Sequence, residues 1–580
     1  MKSRTSFFNA TLYRKNFTRF GPIWAIYGII LFLYFSVIAG LGSHYIRCLN
    51  GADMAICMSV VNLIYAGVLG VFLFGDLFNT RHCNMLHAFP LRRETIFFTN
   101  LASAFTFALV PNLIIALISL PFMGSGWLVS VGWFLAGFLT FLFYMGCALL
   151  AVMLTGNRLG FLAVYTLLNF LSLLFLWLGK TIFMPILFGI RIPEQPFIIF
   201  CPTYNILYLA NLVNVTLDGI DTMGEYIHFA TSDSDFTVSF GAGWGYMAIC
   251  AAIGVVLMAL ALVLYRKRKL ESAGDFIAFK AIEPFFLVLF TLGVGAFFQM
   301  FSEVFGYGSQ YIFLTMGLIV GFFGCLMLLN KTTQVFNLRT FRNFGIFAAS
   351  LAVILLVTKL DPLGLTRKIP NAEDVDYLCV GKTYASANHM WEEIKLSDPE
   401  DIETIRNVHQ YAVNDENRRV SDDDPIYYLD IGIDYILKDG SLLSRYYSIP
   451  LGSPAADDLR PILSRPECVV RRSAEELLVL ADNVYYVYVD GLGLPANQVN
   501  TFADISELME AILADCESGA MVQYAEYHYW DDDDSDFDKH DPYLEIAYNT
   551  PDGVSTSFWI TVYEDCVNTL AWLTESGLLE

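Results

Sequence analysis

Long apolar runs, most near the roughly 20 residues that a helix needs to cross a bilayer, recur along the first 360 residues and then stop. They lie at roughly 21–41, 56–75, 97–122, 128–154, 160–178, 243–265, 284–302, 310–329 and 343–358. The pattern predicts a polytopic α-helical membrane protein of about nine spans. The last run is short, and Lys359 can complete it by extending its ammonium to the interface. Trp24, Trp127, Trp133, Trp177 and Trp244 fall near span ends or loops, as an aromatic belt requires.

Beyond residue 360 the periodicities shorten. Pro425–Leu437 and Leu442–Ile449 read as strands around Lys438-Asp439-Gly440-Ser441, a hairpin with a DG turn. Val484–Val489 and Tyr543–Tyr548 also read as strands. Glu400–Val413, Ser473–Ala481, Phe502–Asp515 and Glu564–Leu573 read as helices. Residues 361–580 are expected to form a C-terminal α+β domain, or two small ones.

Charge separates the same two regions and orients them. Residues 1–360 carry a net charge of +8 and residues 361–580 a net of −30, giving −22 for the chain. With the N-terminus inside, 17 Lys and Arg fall in inside segments, against Arg47, Lys180, Arg191 and Lys359 outside. The positive-inside rule therefore puts the N-terminus in the cytoplasm and, after nine spans, the acidic region outside. The long outer segment 179–242 contains two apolar runs, Ile182–Ile190 and Phe197–Val213, broken by Pro185, Pro193, Pro196 and Pro202. Two half-spans that dip in and return would preserve that parity.

Several chemistries are disfavoured. No span carries Lys, Arg, Asp, Glu or His near its middle, which argues against a secondary transporter or proton pump. Asn62, Asn112, Asn169 and Gln299 are expected to make hydrogen bonds between helices. The 11 Cys form no CxxC, and no HExxH occurs. Disulfides among Cys379, Cys468, Cys516 and Cys566 stay open. Gly179-Lys180-Thr181 and Gly381-Lys382-Thr383 mimic the end of a P-loop, but its first glycine is Leu174 in one and Asp376 in the other. Asp531–Asp541 is acidic yet lacks the glycine and terminal glutamate of an EF-hand loop, so it reads as a solvated loop. Neither a catalytic centre, a metal, a cofactor in this chain nor a nucleic-acid partner is expected.

Three inside segments carry the remaining signal. In Ser3–Phe20, Phe7, Phe8, Leu12 and Phe17 alternate with Arg14, Lys15 and Arg19, as in an amphipathic helix on the inner leaflet; the alternative is a basic flank that only sets topology. Between the second and third runs, Met85, Leu86, Phe89, Pro90, Arg92, Arg93 and Glu94 mix apolar and charged character. That loop reads either as a short helix docking on a cytoplasmic partner or as an interfacial turn. Arg266–Lys269 is a topological anchor, and no further role is assigned to it.

Together these segments resemble the permease subunits of type-2 ABC exporters from Gram-positive bacteria. The resemblance rests on FFNATLYRKNFTRFGPIWAIY (elbow helix and first span), DLFNTRHCNMLHAFPLRRETIFFTN (coupling-helix region) and LYRKRKLESAGD after the sixth span. It implies an elbow at 1–20, a six-span core at 21–280, and a location in the bacterial plasma membrane. The three further spans at 281–360 and the outer domain depart from the minimal family pattern. By the resemblance, Met85, Leu86, Phe89 and Pro90, with Arg92, Arg93 and Glu94 beside them, would touch a separate ATPase subunit that binds ATP and Mg. The permease would pair with itself or a second permease and export an amphiphilic substrate such as an antimicrobial peptide, drug or lipid-like compound. The competing expectation is a membrane sensor or scaffold whose outer domain binds a ligand.

Overall fold

The structure, a computed structural model, describes residues 7–38, 45–46, 51–123, 127–183, 186–190, 201, 203, 213–217, 220–221, 230–231, 236–240, 243–301, 310–381, 394–414, 428–450, 453–469, 474–480, 484–490, 497–499, 505–521, 543–549, 555–563 and 565–576. The acidic segment 531–541, with His528 and His540, lies outside them. Two compact units form: Met1–Thr181 with Pro193–Val353, and Ile182–Ile192 with Ile354–Glu580.

The first unit is a helical bundle built from α1 (Ala10–Ile38), α2 (Gly51–Leu73), α3 (Thr80–Ala88), α4 (Arg93–Met123), α5 (Trp127–Leu154), α6 (Arg158–Leu178), α7 (Trp244–Lys267), α8 (Glu283–Met300), α9 (Gln310–Asn330) and α10 (Leu338–Leu360). Among the described residues, eight helices are long and apolar enough to cross a membrane: all of these except α2 and α3. Helix α2 contributes a shorter apolar stretch, Met58–Leu73. The chain is thus compatible with a multi-pass helical membrane protein.

Helix α5 is the innermost, with 78% of its apolar window buried, whereas none of the α10 window is. Small residues let α5 and α7 meet. A Cβ on Gly146 would fall 2.4 Å from the Gly254 carbonyl oxygen, and one on Gly254 would fall 2.4 Å from that of Leu142. Close backbone approach of this kind is how helices associate where lipid removes the hydrophobic drive between them.

The polar residues of the runs link helices. Tyr27 Oη donates to Asn62 Oδ1 (2.7 Å), Asn62 Nδ2 donates to Thr140 Oγ1 (2.7 Å), and Asn112 Nδ2 donates to Tyr27 Oη (2.8 Å). Four helices, α1, α2, α4 and α5, are joined by these bonds. By contrast, Asn169 Nδ2 bonds within its own helix, to the Tyr165 carbonyl. Gln299 Oε1 is buried with no hydrogen-bond partner among the described residues.

Within segment 179–242, Val213–Leu217, Ile220–Asp221 and Phe236–Phe240 form a three-stranded antiparallel sheet. Cys201 and Thr203 reach the bundle: Cys201 Sγ donates to the Asn169 carbonyl (3.4 Å), and Thr203 Oγ1 lies 2.9 Å from Tyr144 Oη. Most of Phe197–Val213 is outside the described residues. The run Ile182–Ile190 differs from the expected half-span. Gly179–Phe183 continues α6 as one π turn, and Ile186–Ile190 belongs to the second unit.

The second unit repeats one design. Strands β1 (Val375–Gly381) and β2 (Ile394–Leu396), helix α11 (Pro399–Val413), β3 (Tyr428–Leu437), β4 (Leu442–Pro450) and α12 (Pro454–Leu463) make the first module. Its antiparallel sheet runs β2-β1-β3-β4. Strands β5 (Val484–Asp490) and β6 (Asn497–Val499), α13 (Ser506–Glu517), β7 (Tyr543–Asn549), β8 (Ser555–Thr561) and α14 (Val567–Glu575) make the second, with order β6-β5-β7-β8. Element sequence and strand order are the same in both. Each module buries its own core, around Ile405, Ile433 and Leu459 in the first and Leu508, Ile512 and Leu544 in the second. The β3–β4 turn is the DG hairpin, with Gly440 at φ +80°. Among the described residues, none of Cys379, Cys468, Cys516 and Cys566 is in a disulfide.

Residues 186–190 form a turn that meets the first sheet at β4 through a single bridge. Ile190 bridges Arg445 antiparallel, Tyr446 N–H donates to the Gly189 carbonyl (3.1 Å), and Phe188 packs on Tyr447. Gly189 sits at φ +73°, and a Cβ there would lie 2.2 Å from the Tyr447 ring. Only glycine fits both conditions.

Candidate functional site

The site is assembled at the basic end of the bundle, where α2 turns toward α4. A 3-10 turn, Gly75–Phe78, buries Leu77 and Phe78. Asn79 then caps α3, its Oδ1 accepting from Arg81 N–H at 2.9 Å and His82 N–H at 3.4 Å. Helix α3 stops at Ala88 because Pro90 follows, and Phe89 is extended (φ −69°, ψ 149°).

One face of α3 points inward. Cys83 is buried. His87 Nδ1 lies 2.8 Å from the Cys83 carbonyl, and Nε2 lies 3.1 Å from Tyr265 Oη. A carbonyl only accepts, so Nδ1 carries the proton and Nε2 accepts from the tyrosine. Burial lowers the His87 pKa, and Arg93 and Arg268 lower it further, against the raising effect of the Cys83 carbonyl bond. The imidazole is therefore neutral near pH 7.

Two arginines fix the platform on which α3 rests. Arg93 Nη1 donates to the carbonyls of Tyr265 (3.0 Å), Arg266 (3.2 Å) and Arg268 (2.9 Å), closing the C-terminus of α7. Those carbonyls have no helical partner, and the helix dipole favours a cation there. Arg268, only 5% exposed, donates Nη1 to Val152 O (2.7 Å) in the last turn of α5 and Nη2 to Leu77 O (3.0 Å). Burial pushes its pKa down to about 10, which still leaves it charged. Thr80 Oγ1 adds a bond to Ala273 O (3.1 Å), and Arg266 pairs with Glu94 at 3.1 Å.

The outward face is apolar at its tip. Met85 is 56% and Phe89 55% exposed, with Pro90 and Arg92 exposed beside them and Leu86 half-buried. Of the seven loop residues singled out from the sequence, Met85, Phe89, Pro90 and Arg92 thus form a protruding patch. Arg93 and Glu94 turn toward α7 instead. The sequence reading did not single out Arg268, His87, Asn79 or Thr80. Arg268 stood in a visible basic cluster, but only the structure separates it from its exposed neighbours Arg266, Lys267 and Lys269.

In the elbow, helix begins at Ala10 and breaks at Phe20 (φ −111°, ψ 15°), just before Pro22. Phe7 and Phe8 are exposed ahead of it, and Leu12 is half-buried. Arg14, Lys15 and Arg19 face outward. The inward face is more polar than the sequence suggests. Asn16 Nδ2 donates to Asn100 Oδ1 (2.9 Å) and Ser103 Oγ (3.0 Å), and Tyr13 Oη donates to Thr106 Oγ1 (2.9 Å). Phe17 packs between Trp24 and Phe107. The elbow is thereby bound along α4.

Among the described residues, no group of three or more His, Cys, Asp or Glu is placed to hold a metal ion. No family model, curated protein or solved structure matches the chain.

Proposed function

We propose that this chain is the membrane subunit of an ATP-driven exporter of the ABC type, working with a separate ATPase in a bacterial plasma membrane. The observation that carries the reading is the build of α3: an exposed Met85–Phe89 tip on a base tied by Arg93 to α7 and by Arg268 to α5. A push delivered to such a tip passes to the innermost helix of the bundle without first deforming a loose loop. The exposed apolar pair rimmed by Arg92 matches what a protein contact requires, an apolar centre with a polar edge.

The orientation follows from charge, with the N-terminus and α3 inside. Connectivity supports it. Residues 186–190 follow α6 and residues 361–463 follow α10, yet both build one compact unit. The chain must leave α6 and α10 on the same side of the membrane, as an even number of crossings between them allows. The polar unit, net −30 over residues 361–580, would then lie outside. The substrate class is amphiphilic, as the resemblance implies, in keeping with described spans that offer hydroxyls, amides and aromatic rings and carry no charged side chain near their middles.

A second reading, a membrane sensor or scaffold, is favoured by one feature: two modules of the same topology, with a segment from directly after α6 built into the first. Co-purification separates the two. The intact chain is co-expressed with the ATPase encoded beside it and captured through a tag on this chain. Retention of the ATPase by wild type and its loss in Met85→Asp/Phe89→Asp is the expected result. Absence of any ATPase from the wild-type eluate, with the chain monodisperse, would overturn the exporter reading.

A further inference from the structure

A groove of about 880 Å³ opens in the first unit where three interruptions of the helices meet: the Phe20 break in α1, the turn after α2, and the turn into α6. Its lining includes Arg19, Arg158, Asp76 and His82. Asp76 is committed to His82, 3.5 Å away. Neither Arg19 nor Arg158 has a carboxylate partner among the described residues, and both are exposed. The Arg19 guanidinium lies over the Phe20 ring, 5.0 Å from its centroid. Beside these charges the walls are apolar, and Phe72 (49%) and Leu159 (66%) expose large surfaces. Two unpaired cations and a hydrocarbon wall therefore share one concavity, at the end of helices whose flanks are lipid-compatible.

From this we infer that the groove is a binding site for an anionic phospholipid. The phosphate lies between Arg19 and Arg158, and the acyl chains follow Phe72 and Leu159 out along the helices. Charge decides the class. The fixed groups leave an excess of positive charge, so a lipid with a net negative headgroup gains over one whose charges cancel. A bare phosphate would satisfy the arginines and leave the apolar wall wet, whereas a lipid covers both. Asn79 and His82, in the cap and first turn of α3, line the same groove. The bound lipid would thus join the elbow break to the start of the α3 platform, whatever partner α3 meets. Tests of this site do not depend on the exporter reading, since they read lipid binding alone.

Native mass spectrometry of the intact chain, released from micelles carrying equal phosphatidylglycerol, phosphatidylethanolamine and phosphatidylcholine, tests the site. We expect retained phosphatidylglycerol to exceed each of the other two several-fold. The Arg19→Gln/Arg158→Gln variant should lose about thirtyfold in that retention, in line with the attraction of about 1 kcal/mol that each surface base contributes. The Arg14→Gln/Lys15→Gln variant, altered at bases outside the groove, should change less than twofold. Four results would overturn the proposal: no preference for phosphatidylglycerol in wild type; equal retention of phosphatidylethanolamine; equal losses in the two variants; or complete displacement by millimolar inorganic phosphate, which would mark a free-phosphate site.

Discussion

Replacing Arg268 by Met removes the positive centre of the platform while nearly keeping the length of its stem. Two hydrogen bonds from a charged donor disappear, to Val152 O at 2.7 Å and Leu77 O at 3.0 Å. Bonds of this kind contribute about 1.5–3 kcal/mol each, a gross loss of about 3–6 kcal/mol. Relief of burying a guanidinium that is 5% exposed offsets part of it. The net expectation is a destabilisation of about 2–4 kcal/mol. Lysine keeps the charge but, as a point donor without the guanidinium fork, reaches one carbonyl well. Arg268→Lys should therefore cost about half as much. Reversible unfolding of the intact chain in mixed micelles gives both values. Hydrogen exchange at residues 75–79 and 150–155 should rise in parallel. If Arg268→Met falls within about 0.5 kcal/mol of wild type, in the range of an ordinary surface change, or if Lys is as damaging as Met, the cross-tie argument is wrong.

Three further predictions concern other parts of the chain. His409 is fully buried in the first module of the second unit, with Nδ1 3.1 Å from Tyr435 Oη, and burial foremost, then Arg445 and Arg406, lower its pKa from 6.5 to about 3. The unfolded chain then takes up a proton that the folded one refuses, so stability is complete above pH 6.5 and falls as pH drops toward 3. Between pH 7 and 5 the loss should be about 2 kcal/mol, read as faster exchange of α11 and β3 in the intact protein and flattened by His409→Gln. Gly254→Val places branched carbons where a single Cβ already meets the Leu142 carbonyl at 2.4 Å, so the monodisperse yield in detergent should collapse, while Gly245→Val, with open space around its Cβ, should be tolerated. Gly189→Ala should release residues 186–190 from β4, seen as protease cleavage there and unchanged protection of α13 and β7.

Eight of the nine expected runs are, among the described residues, helices long and apolar enough to cross a bilayer, and the ninth is the shorter stretch of α2; they were legible because a bilayer imposes a length and a polarity that no other environment demands. Structure and sequence differ mainly at their ends: α10 starts at Leu338 rather than near 343 because Asn337 accepts from the Thr340 amide, at 3.0 Å, and admits Arg339 and Arg342 to the first turns. The hairpin around Gly440 was equally plain from its turn residues. The role of Arg268 was hidden because its partners are backbone carbonyls, which leave no mark on the sequence. Strand β2, three residues long, lies below the reach of any periodicity argument. The shared topology of the two modules was invisible for a different reason: strand order is a non-local property. Ile182–Ile190 differs from the expected half-span because an apolar run fits both a membrane segment and a turn whose side chains pack on a soluble module, here Phe188 on Tyr447.

That last segment has a consequence for how the molecule is made. Residues 186–190 leave the ribosome directly after α6, but Arg445, the bridge partner of Ile190, is synthesised only after four more long apolar helices and three strands of the first module. The segment must stay uncommitted through all of that insertion. Each module contains all four strands of its own sheet, and in addition the first makes a single bridge at β4 to a residue far away in sequence. Excising residues 361–580 would therefore keep both four-stranded sheets but uncover β4 at Arg445–Tyr447, where Ile190, Gly189 and Phe188 now sit, exposing backbone groups that a neighbouring copy could pair with.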